Sequence, residues 1–234
     1  MNFPNQRSLE IIPKYIEQSS WWQHVPVAHW IISEIKPKTV VELGTHYGVS
    51  FFAFCEAAEA NSPDTFIYAV DTWEGDVQSG KYGENVLKRV KEHWTKNHKR
   101  NSRLIKSKFE NALGYFGNGQ VDLLHIDGLH TYEAVKNDYE TWEEKLNDKS
   151  IIMFHDINVR ENDFGVWRFW DEVKKRNNYM SMELLNGHGL GILYKKCHEE
   201  KLEEAKRLIP LFVSKGLIIE RMAKAELIVR DGKL

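Results

Sequence analysis

Four carboxylates, each at or just after the end of a predicted strand, are the residues of this chain best placed to do chemistry together. They are Glu42, Asp71, Asp127 and Asp156. Ligands of open α/β sheets bind beyond the carboxyl ends of the strands, so we expect these side chains on one rim of a sheet. Neighbouring carboxylates repel one another unless a cation or a ligand's positive charge offsets them. The sequence therefore predicts a site that attracts positive charge.

Asp127 and Asp156 define a candidate metal site at this rim. They end two consecutive predicted strands that we expect to be neighbours. Two carboxylates suit an oxygen-preferring ion such as Mg²⁺, with water and substrate as further ligands. His155 is a candidate third ligand, which would favour a transition metal such as Mn²⁺. The alternative for His155 is a strand-end residue that is hydrogen-bonded to the backbone.

His130 is a candidate general base, because it stands three residues after Asp127 at the mouth of the same loop. A histidine there could take a proton from a substrate hydroxyl, since its reference pKa of about 6.5 is close to neutral pH. It could instead cap a helix or contact a ribose. His125, inside the preceding apolar strand, is predicted to be a core residue.

The stretch VVELGTHYGVS, residues 40–50, predicts a buried strand, a glycine-bearing turn and a helix. Gly44 and Gly48 allow a tight turn and the close approach of a ligand, and the free N–H groups that begin the helix suit an anionic group. A dinucleotide fingerprint needs a glycine where His46 stands, and a P-loop needs a lysine after Gly48. The alternative is a tight turn that binds no ligand.

Asp71 ends the next predicted strand and should lie beside the first strand's end. A carboxylate there could accept hydrogen bonds from two hydroxyls of a ribose. The alternative is a helix cap or a turn residue, since Asp is common in both.

Strands and helices alternate along most of the chain, which predicts a mostly parallel sheet covered on both faces. Predicted helices span residues 8–19, 23–36, 49–60, 82–97, 108–116, 132–146 and 165–176. Predicted strands span residues 38–43, 65–71, 102–106, 121–127, 150–155, 180–185 and 189–195. The last two are joined by NGHG, which predicts an antiparallel pair. The predicted fold class is α/β, with a Rossmann-like, doubly wound, mostly parallel seven-stranded sheet that ends in this pair.

One domain is predicted over residues 1–196, with N-terminal helices in residues 1–36. Residues 197–234 differ, because charged and apolar residues alternate at helical spacing. They predict a C-terminal helical extension that packs on the domain or forms a contact of a homodimer.

Composition narrows the classes of function. The net charge of −2 gives no electrostatic case for binding nucleic acid. No apolar run is long enough to span a bilayer, and the first residues lack the apolar core of a signal peptide. Two cysteines, Cys55 and Cys197, cannot form a disulfide framework, which fits a reducing, cytoplasmic compartment.

Four motifs follow one another in order: VELGTHYGVS, AVDTWEGD, DLLHIDGLHTYEAV and FHDINVRENDFGVW. Over about residues 20–195 the chain resembles class I S-adenosylmethionine (SAM)-dependent O-methyltransferases of the type attached to, or encoded near, bacterial and viral glycosyltransferases. It is more distantly similar to metal-dependent catechol and macrolide-sugar O-methyltransferases.

This resemblance implies methyl transfer from SAM to a hydroxyl of a sugar, on a glycan or a glycosylated metabolite, assisted by Mg²⁺ or Mn²⁺. Asp127, His155 and Asp156 fall on the metal positions, and Asp127 with His130 forms the implied catalytic pair. His155 stands where the sugar enzymes tend to have an acid. The implied cofactor contacts are Glu42, Gly44, Thr45, His46, Gly48, Ser50, Asp71, Thr72 and Trp73.

Two polar stretches, residues 74–86 and 159–167, are candidate lids on the acceptor side. The resemblance also implies that the chain works with a glycosyltransferase or is fused to one. Two other functions stay open. One is an NAD-dependent oxidoreductase on a similar sheet, and the other is a non-catalytic partner domain that keeps the fold.

Overall fold

Seven strands form one sheet whose order departs from the order of the chain. The computed structural model describes residues 9–78, 80–82, 84–176 and 178–232. The strands are β1 (Thr39–Leu43), β2 (Phe66–Asp71), β3 (Gly75–Asp76), β4 (Gly80–Lys81), β5 (Ser102–Lys106), β6 (Val121–Ile126), β7 (Leu146–His155), β8 (Met180–Leu184) and β9 (Leu190–Tyr194). The main sheet has the order β5-β2-β1-β6-β7-β9-β8, and β3 and β4 form a separate hairpin.

The sheet is parallel except at one edge. β1 pairs in parallel with β2 and with β6, and β6 pairs in parallel with β7. β9 is antiparallel to both β7 and β8. From β1 the chain adds β2 and β5 on one side, and then adds β6 and β7 on the other side of β1. The strand order reverses between β1 and β6, and open α/β sheets bind ligands at such a point. The predicted α/β fold class is confirmed.

Both faces of the sheet are buried, because consecutive strand residues point to opposite faces and both are apolar. Val40 packs in the core cluster of one face and Val41 in that of the other. Leu123 and Leu124 divide in the same way on β6. The parallel pairing aligns Leu43 with Ile126, so the carboxyl ends of β1 and β6 are level.

Helices cover these faces. They are α1 (Val25–Ile35), α2 (Val49–Asn61), α3 (Glu84–Asn97), α4 (Phe109–Ala112), α5 (Tyr132–Trp142), α6 (Val166–Val173) and α7 (Glu199–Asp231). Local signals explain their ends. The side chain of Thr131 accepts a hydrogen bond from the Ala134 N–H and caps α5, and left-handed Lys36 ends α1 just before Pro37.

The predicted helix over residues 8–19 is wrong for the described residues 9–19, which contain no α-helix. Pro13 explains this, because it lacks an N–H and disfavours the α conformation of Ile12 before it. The segment is instead an irregular stretch of chain, residues 9–20, which we call the strap and which side chains help to hold in place. The Lys14 N–H donates to the Glu56 carboxylate at 3.1 Å. Residues 1–8 of the predicted N-terminal helices lie outside the described residues.

Three predicted helices are shorter than expected. The helix predicted over 165–176 is α6, which ends at Val173. The helix predicted over 132–146 ends at Trp142, followed by a 3₁₀ turn, and residues 146–149 begin β7. The helix predicted over 108–116 is the short α4 followed by another 3₁₀ turn. The β3–β4 hairpin lies inside the predicted lid, residues 74–86, where the sequence predicted no strand.

The predicted C-terminal extension is the single 33-residue helix α7. It packs closely on the start of the chain, since a Cβ at Gly216 would lie 2.3 Å from the Gln23 carbonyl oxygen. Among the described residues, no helix combines the length and the apolar character that a membrane span needs.

Candidate active site

Gly44 and Gly48, in the glycine turn after β1, stand where the backbone has a positive φ and where a side chain would meet neighbouring atoms of the protein. Gly44 has a φ of +89°, and a Cβ there would lie 2.1 Å from the Asp127 carbonyl oxygen. Gly48 has a φ of +85°, and its Cβ would lie 2.9 Å from the ring of Phe52. The positive φ values agree with the predicted tight turn, and packing within the protein is a further reason for both glycines. Both also line the cavity, so the predicted close approach of a ligand stays a prediction.

Asp71 fastens this turn to the end of β2. Its Oδ2 accepts hydrogen bonds from the N–H groups of Thr45 (2.8 Å) and His46 (2.9 Å), and its Oδ1 accepts from the Trp73 N–H (2.6 Å). Within the chain, Asp71 therefore acts as a turn residue, which was the alternative that the sequence left open. Asp71 also lines the central cavity, so lone pairs of the same carboxylate face ligand space.

Glu42, a predicted cofactor contact, lies behind the cavity wall and does not line the cavity. It is fully buried, and its Oε2 lies 3.0 Å from Nδ1 of His125. The indole N–H of Trp21 donates to Nε2 of His125 at 3.2 Å, so Nδ1 carries the proton and donates to Glu42. Trp21 lines the cavity, so Glu42 supports the wall through two side chains.

One cavity of about 580 Å³ joins the turn to the ends of β6 and β7. Its volume falls in the range of small-molecule sites. Predicted site residues that line it are Gly44, Thr45, His46, Gly48, Ser50, Asp71, Thr72, Asp127, His130 and Asp156. Trp73 does not line it; its indole N–H donates to the His46 carbonyl at 3.0 Å and holds the turn from behind.

At the far end of the cavity, five side chains form what we call the Asp–His cluster: Asp127, His130, His155, Asp156 and His188. His130 Nε2 lies 3.0 Å from Asp156 Oδ2 and 3.7 Å from Asp127 Oδ1. His155 Nδ1 lies 3.1 and 3.2 Å from the same two oxygens. His188 Nδ1 lies 3.0 Å from Asp156 Oδ1. Three imidazoles thus surround two carboxylates.

These contacts shift the pKa values of the cluster strongly. Burial alone would raise the pKa of Asp127 and of Asp156, but His155 and His130 outweigh burial and lower both. Burial would lower the pKa of His130, but its contacts with the two carboxylates raise it to about 9. The pKa of His155 is raised well above its usual value by the same carboxylates, against the effect of burial. The histidines supply the positive charge that the carboxylates require.

The donor atoms that converge at the cavity come from Asp127, Asp156 and His130, whereas the predicted metal site had His155 as its third residue. Among the described residues, Asp127, His130 and Asp156 each offer a ligand atom within 4.8 Å of the others. His155 is 2% exposed and does not line the cavity. Its Nδ1 contacts both carboxylates from the buried side. The sequence predicted His155 as a third ligand but could not show the direction of its ring.

His188 and Gln78 belong to the cavity wall but were not singled out from the sequence. His188 lies in the turn between β8 and β9, and the pairing of β9 with β7 brings that turn to Asp156. Its φ of 68° is a left-handed conformation that is uncommon outside glycine. The predicted NGHG connection was the available signal, since a hairpin beside β7 must end near the same rim.

Both predicted lid stretches reach the cavity. Tyr82, from residues 74–86, stacks on His46 with ring centroids 4.4 Å apart and an interplanar angle of 16°. Phe164, from residues 159–167, stacks on His130 at 4.7 Å and 6°. The cavity therefore has a side built by the glycine turn and a side built by the Asp–His cluster, with an aromatic ring on each.

Comparison with known proteins agrees with this architecture. An uncharacterized protein of Sinorhizobium fredii, y4gI, is 44% identical over 176 residues, which cover 75% of this chain. The chain spans only 19% of the length of that relative. A SAH-bound Podospora anserina methyltransferase, PaMTH1, is similar in structure, with a TM-score of 0.57 at 16% identity over 83% of each chain.

A second similar structure is an O-methyltransferase from Bacillus cereus in complex with SAH. Its TM-score is 0.55 at 10% identity, over 83% of this chain and 94% of that one. At such identities the two structures establish the likeness of the fold alone. A sequence model described as a methyltransferase domain matches residues 41–157, which is half of the chain and includes both the glycine turn and Asp156. The chain therefore belongs to the methyltransferase domain family.

Proposed function

We propose that this chain is a SAM-dependent O-methyltransferase that methylates a hydroxyl of a sugar, assisted by a divalent metal ion, with His130 as general base. One observation carries the proposal: a single cavity is lined by the glycine turn at one side and by Asp127, His130 and Asp156 at the other. A methyl donor and a hydroxyl acceptor must meet in one such space.

The glycine side of the cavity offers groups that suit an adenosyl cofactor. Asp71 presents a carboxylate that can accept hydrogen bonds from hydroxyl groups. Thr45 lines the cavity, and its buried Oγ1 has no hydrogen-bond partner among the described residues. A buried hydroxyl is normally satisfied, so Thr45 is suited to contact a ligand. The SAH in the two similar structures supports this choice of cofactor.

The Asp–His cluster offers the carboxylate donors that Mg²⁺ or Mn²⁺ accepts, so the residues fit such an ion. Asp127 and Asp156 would hold it, because both are kept ionised by their surroundings. A bound divalent ion would act as a Lewis acid toward the acceptor hydroxyls. Asp156 contributes from a left-handed backbone conformation with a φ of 61°, which is typical of strained residues at functional sites.

His130 is suited to take the proton of the acceptor hydroxyl, since its Nε2 faces the carboxylates at the cavity wall. With both carboxylates unscreened, its pKa of about 9 keeps it protonated at neutral pH. His130 therefore acts as a base only when another cation offsets Asp127 and Asp156. A positioned base contributes a rate factor of about 10²–10⁴, and alignment of the two reactants about 7–11 kcal/mol, so alignment dominates.

The acceptor class rests on the resemblance of the four motifs and on the aromatic rings of Tyr82 and Phe164 beside the cavity. Flat aromatic surfaces suit the apolar faces of sugars. The resemblance of the four motifs is also the reason for proposing a glycosyltransferase as a partner. In the Sinorhizobium fredii relative, the matched domain is a small part of a longer chain, which is consistent with work beside another domain.

A tritiated-SAM assay over a panel of mono- and oligosaccharides, with Mg²⁺, Mn²⁺ or EDTA, tests the proposal. We expect label in a sugar only when metal is present. Full activity in EDTA would remove the metal from the proposal. Thermal-shift measurements with SAM, SAH and NAD provide the control, because stabilisation by NAD alone would favour an oxidoreductase. SAM binding without transfer to any acceptor would favour a non-catalytic partner domain.

A further inference from the structure

The side-chain amide of Gln78 contacts His130 with its oxygen and Asp163 with its nitrogen, and the proposed function gives Gln78 no role. It lies between β3 and β4 in the hairpin that crosses the cavity. Its Oε1 lies 2.9 Å from the backbone nitrogen of His130 and 2.9 Å from that residue's Nδ1. Its Nε2 donates to Asp163 Oδ1 at 2.7 Å. One amide therefore connects the hairpin to both the β6–α5 loop and the loop of residues 159–165.

The direction of this amide follows from its partners. A backbone N–H only donates and an ionised carboxylate only accepts, so Oε1 must face His130 and Nε2 must face Asp163. Nδ1 of His130 meets an oxygen acceptor and must therefore carry a proton. Stacking on Phe164 holds the ring plane, and Nε2 is left to face the cavity and Asp156.

We propose that Gln78 is a positioning residue that fixes the direction of the His130 ring, with Nδ1 held toward the hairpin and Nε2 toward Asp156 and the cavity. This inference rests on the proposed function, because the direction of Nε2 matters for turnover only if His130 receives the acceptor's proton on that atom.

The hairpin is built to hold Gln78 in this place. The Gln78 N–H donates to Asp76 Oδ1 at 2.7 Å, which closes a local turn. Gly75 allows the strands to approach, since a Cβ there would lie 1.9 Å from the Gly80 carbonyl oxygen. The hairpin follows Asp71 closely in the chain, so the residue that fastens the glycine turn also anchors the support of His130.

Replacement of Gln78 tests the role in catalysis. We expect Gln78→Leu to lower kcat by about 10- to 100-fold, with SAM affinity unchanged. This is the range seen when a metal-bound histidine loses the partner that orients its ring. Gln120→Leu is the matched control. Gln120 also uses its side-chain oxygen to accept a backbone N–H, that of Gly117, but lies outside the cavity wall. A wild-type kcat in Gln78→Leu would overturn the proposal.

A charge swap separates positioning from structural damage. Gln78→Glu keeps an acceptor for His130 but places a carboxylate against Asp163, so kcat should fall. Adding Asp163→Asn supplies a donor to that carboxylate and should restore most of the lost kcat. Asp163→Asn alone should cost little, because an amide oxygen still accepts from Gln78. A double variant no better than Gln78→Glu would contradict the assigned role.

A measurement that does not depend on methyl transfer tests the contact between Gln78 and His130 separately from the proposed function. Long-range ¹H–¹⁵N spectra of ¹⁵N-histidine-labelled protein should show a slowly exchanging proton on Nδ1 of His130, with the signal assigned by its loss in His130→Asn. The proton should persist in Gln120→Leu and exchange rapidly in Gln78→Leu. If wild type transfers no methyl group, the proposed function fails while this result still decides the contact. A proton unaffected by Gln78→Leu would overturn the inference.

Discussion

Arg230, in the last turn of α7, reaches Glu17 in the N-terminal strap, with 2.9 Å between Nη2 and Oε2. A second arginine nitrogen, Nη1, lies 3.1 Å from Oε1 of the same carboxylate. Residues 18–20, directly after Glu17, line the cavity. The end of the longest helix and the wall of the candidate site are therefore joined through two side chains.

We expect Arg230→Ala to weaken SAM binding while leaving kcat nearly unchanged, because it loosens the strap but leaves the Asp–His cluster intact. Arg230 is one of two arginines that hold Glu17, and the other, Arg89, stays in place with Nη1 3.1 Å from the same carboxylate. Isothermal titration with SAM measures the first effect and saturating kinetics the second. Global stability should change by about 1 kcal/mol or less, since the arginine is partly exposed. Arg221→Ala, on the exposed surface of the same helix, is the control. Equal SAM affinity in both variants would show that the strap does not depend on this contact.

Glu56 should make the protein less stable as the pH rises from about 5 to about 7. Burial raises the pKa of its carboxyl to about 7, against a hydrogen bond from the Lys14 N–H that lowers it. The folded state therefore holds a proton that the unfolded state releases near pH 4.5, and raising the pH favours unfolding in this window. In wild type the Glu56 carboxyl should lower the free energy of unfolding by up to about 3 kcal/mol over this pH range, and Glu56→Gln should not show this decrease.

Urea unfolding at a series of pH values measures this slope. Part of it should remain in Glu56→Gln, because burial also raises the pKa of Asp138 to about 7. Glu92→Gln, at an exposed position of α3, is the control and should leave the slope unchanged. An identical slope in wild type and Glu56→Gln would contradict the prediction.

His130→Ala should slow methyl transfer by about 10²–10⁴-fold while SAM affinity stays the same. The affinity for Mn²⁺, followed by its electron paramagnetic resonance signal, separates a base from a metal ligand, because this side chain also converges with the two carboxylates. Unchanged Mn²⁺ affinity supports the base. Mn²⁺ binding that weakens as strongly as turnover would make His130 a ligand instead.

Asp156→Asn should abolish stimulation by metal without unfolding the protein. Asparagine tolerates the left-handed conformation that Asp156 adopts, so the strand end should keep its shape. Removal of the charge deprives an ion of one anionic ligand. The melting temperature without metal checks the fold, and Mn²⁺ titration checks the site. Stimulation equal to that of wild type would exclude Asp156 from metal binding.

Gly44→Ala should be strongly destabilising, because it combines a positive φ with a clash against the Asp127 backbone. Gly119→Ala isolates the first effect, since Gly119 has a φ of +70° and open space around its Cβ position. The control should cost about 1–2 kcal/mol, the expected penalty for a left-handed alanine. Similar losses in both variants would mean that the clash relaxes at little cost.

Much of the fold was predictable because its signals are local. Runs such as Val40-Val41 and Ile151-Ile152 are apolar at consecutive positions, which strands buried on both faces require. Neighbouring strand ends then brought Asp127 and Asp156 together, as the sequence predicted. The local prediction that failed was the helix over residues 8–19, which did not take account of Pro13.

The rest of the site depends on contacts that no short stretch of sequence encodes. Glu42 is held behind the cavity wall because His125, on the neighbouring strand, supplies a buried N–H. His188 reaches Asp156 through the antiparallel pairing of β9 with β7. Gln78 meets His130 across 52 residues of chain. In each case the decisive partner is distant in sequence.

The contact between Gly44 and the Asp127 carbonyl has a consequence for how such a site can diversify. It joins the two halves of the cavity through main-chain atoms, whose spacing does not change when side chains are exchanged. Substitutions in the stretches 74–86 and 159–167 would then change the wall around an acceptor without changing this main-chain contact. The shape of the acceptor side and the spacing of the two halves thus depend on different parts of the same cavity.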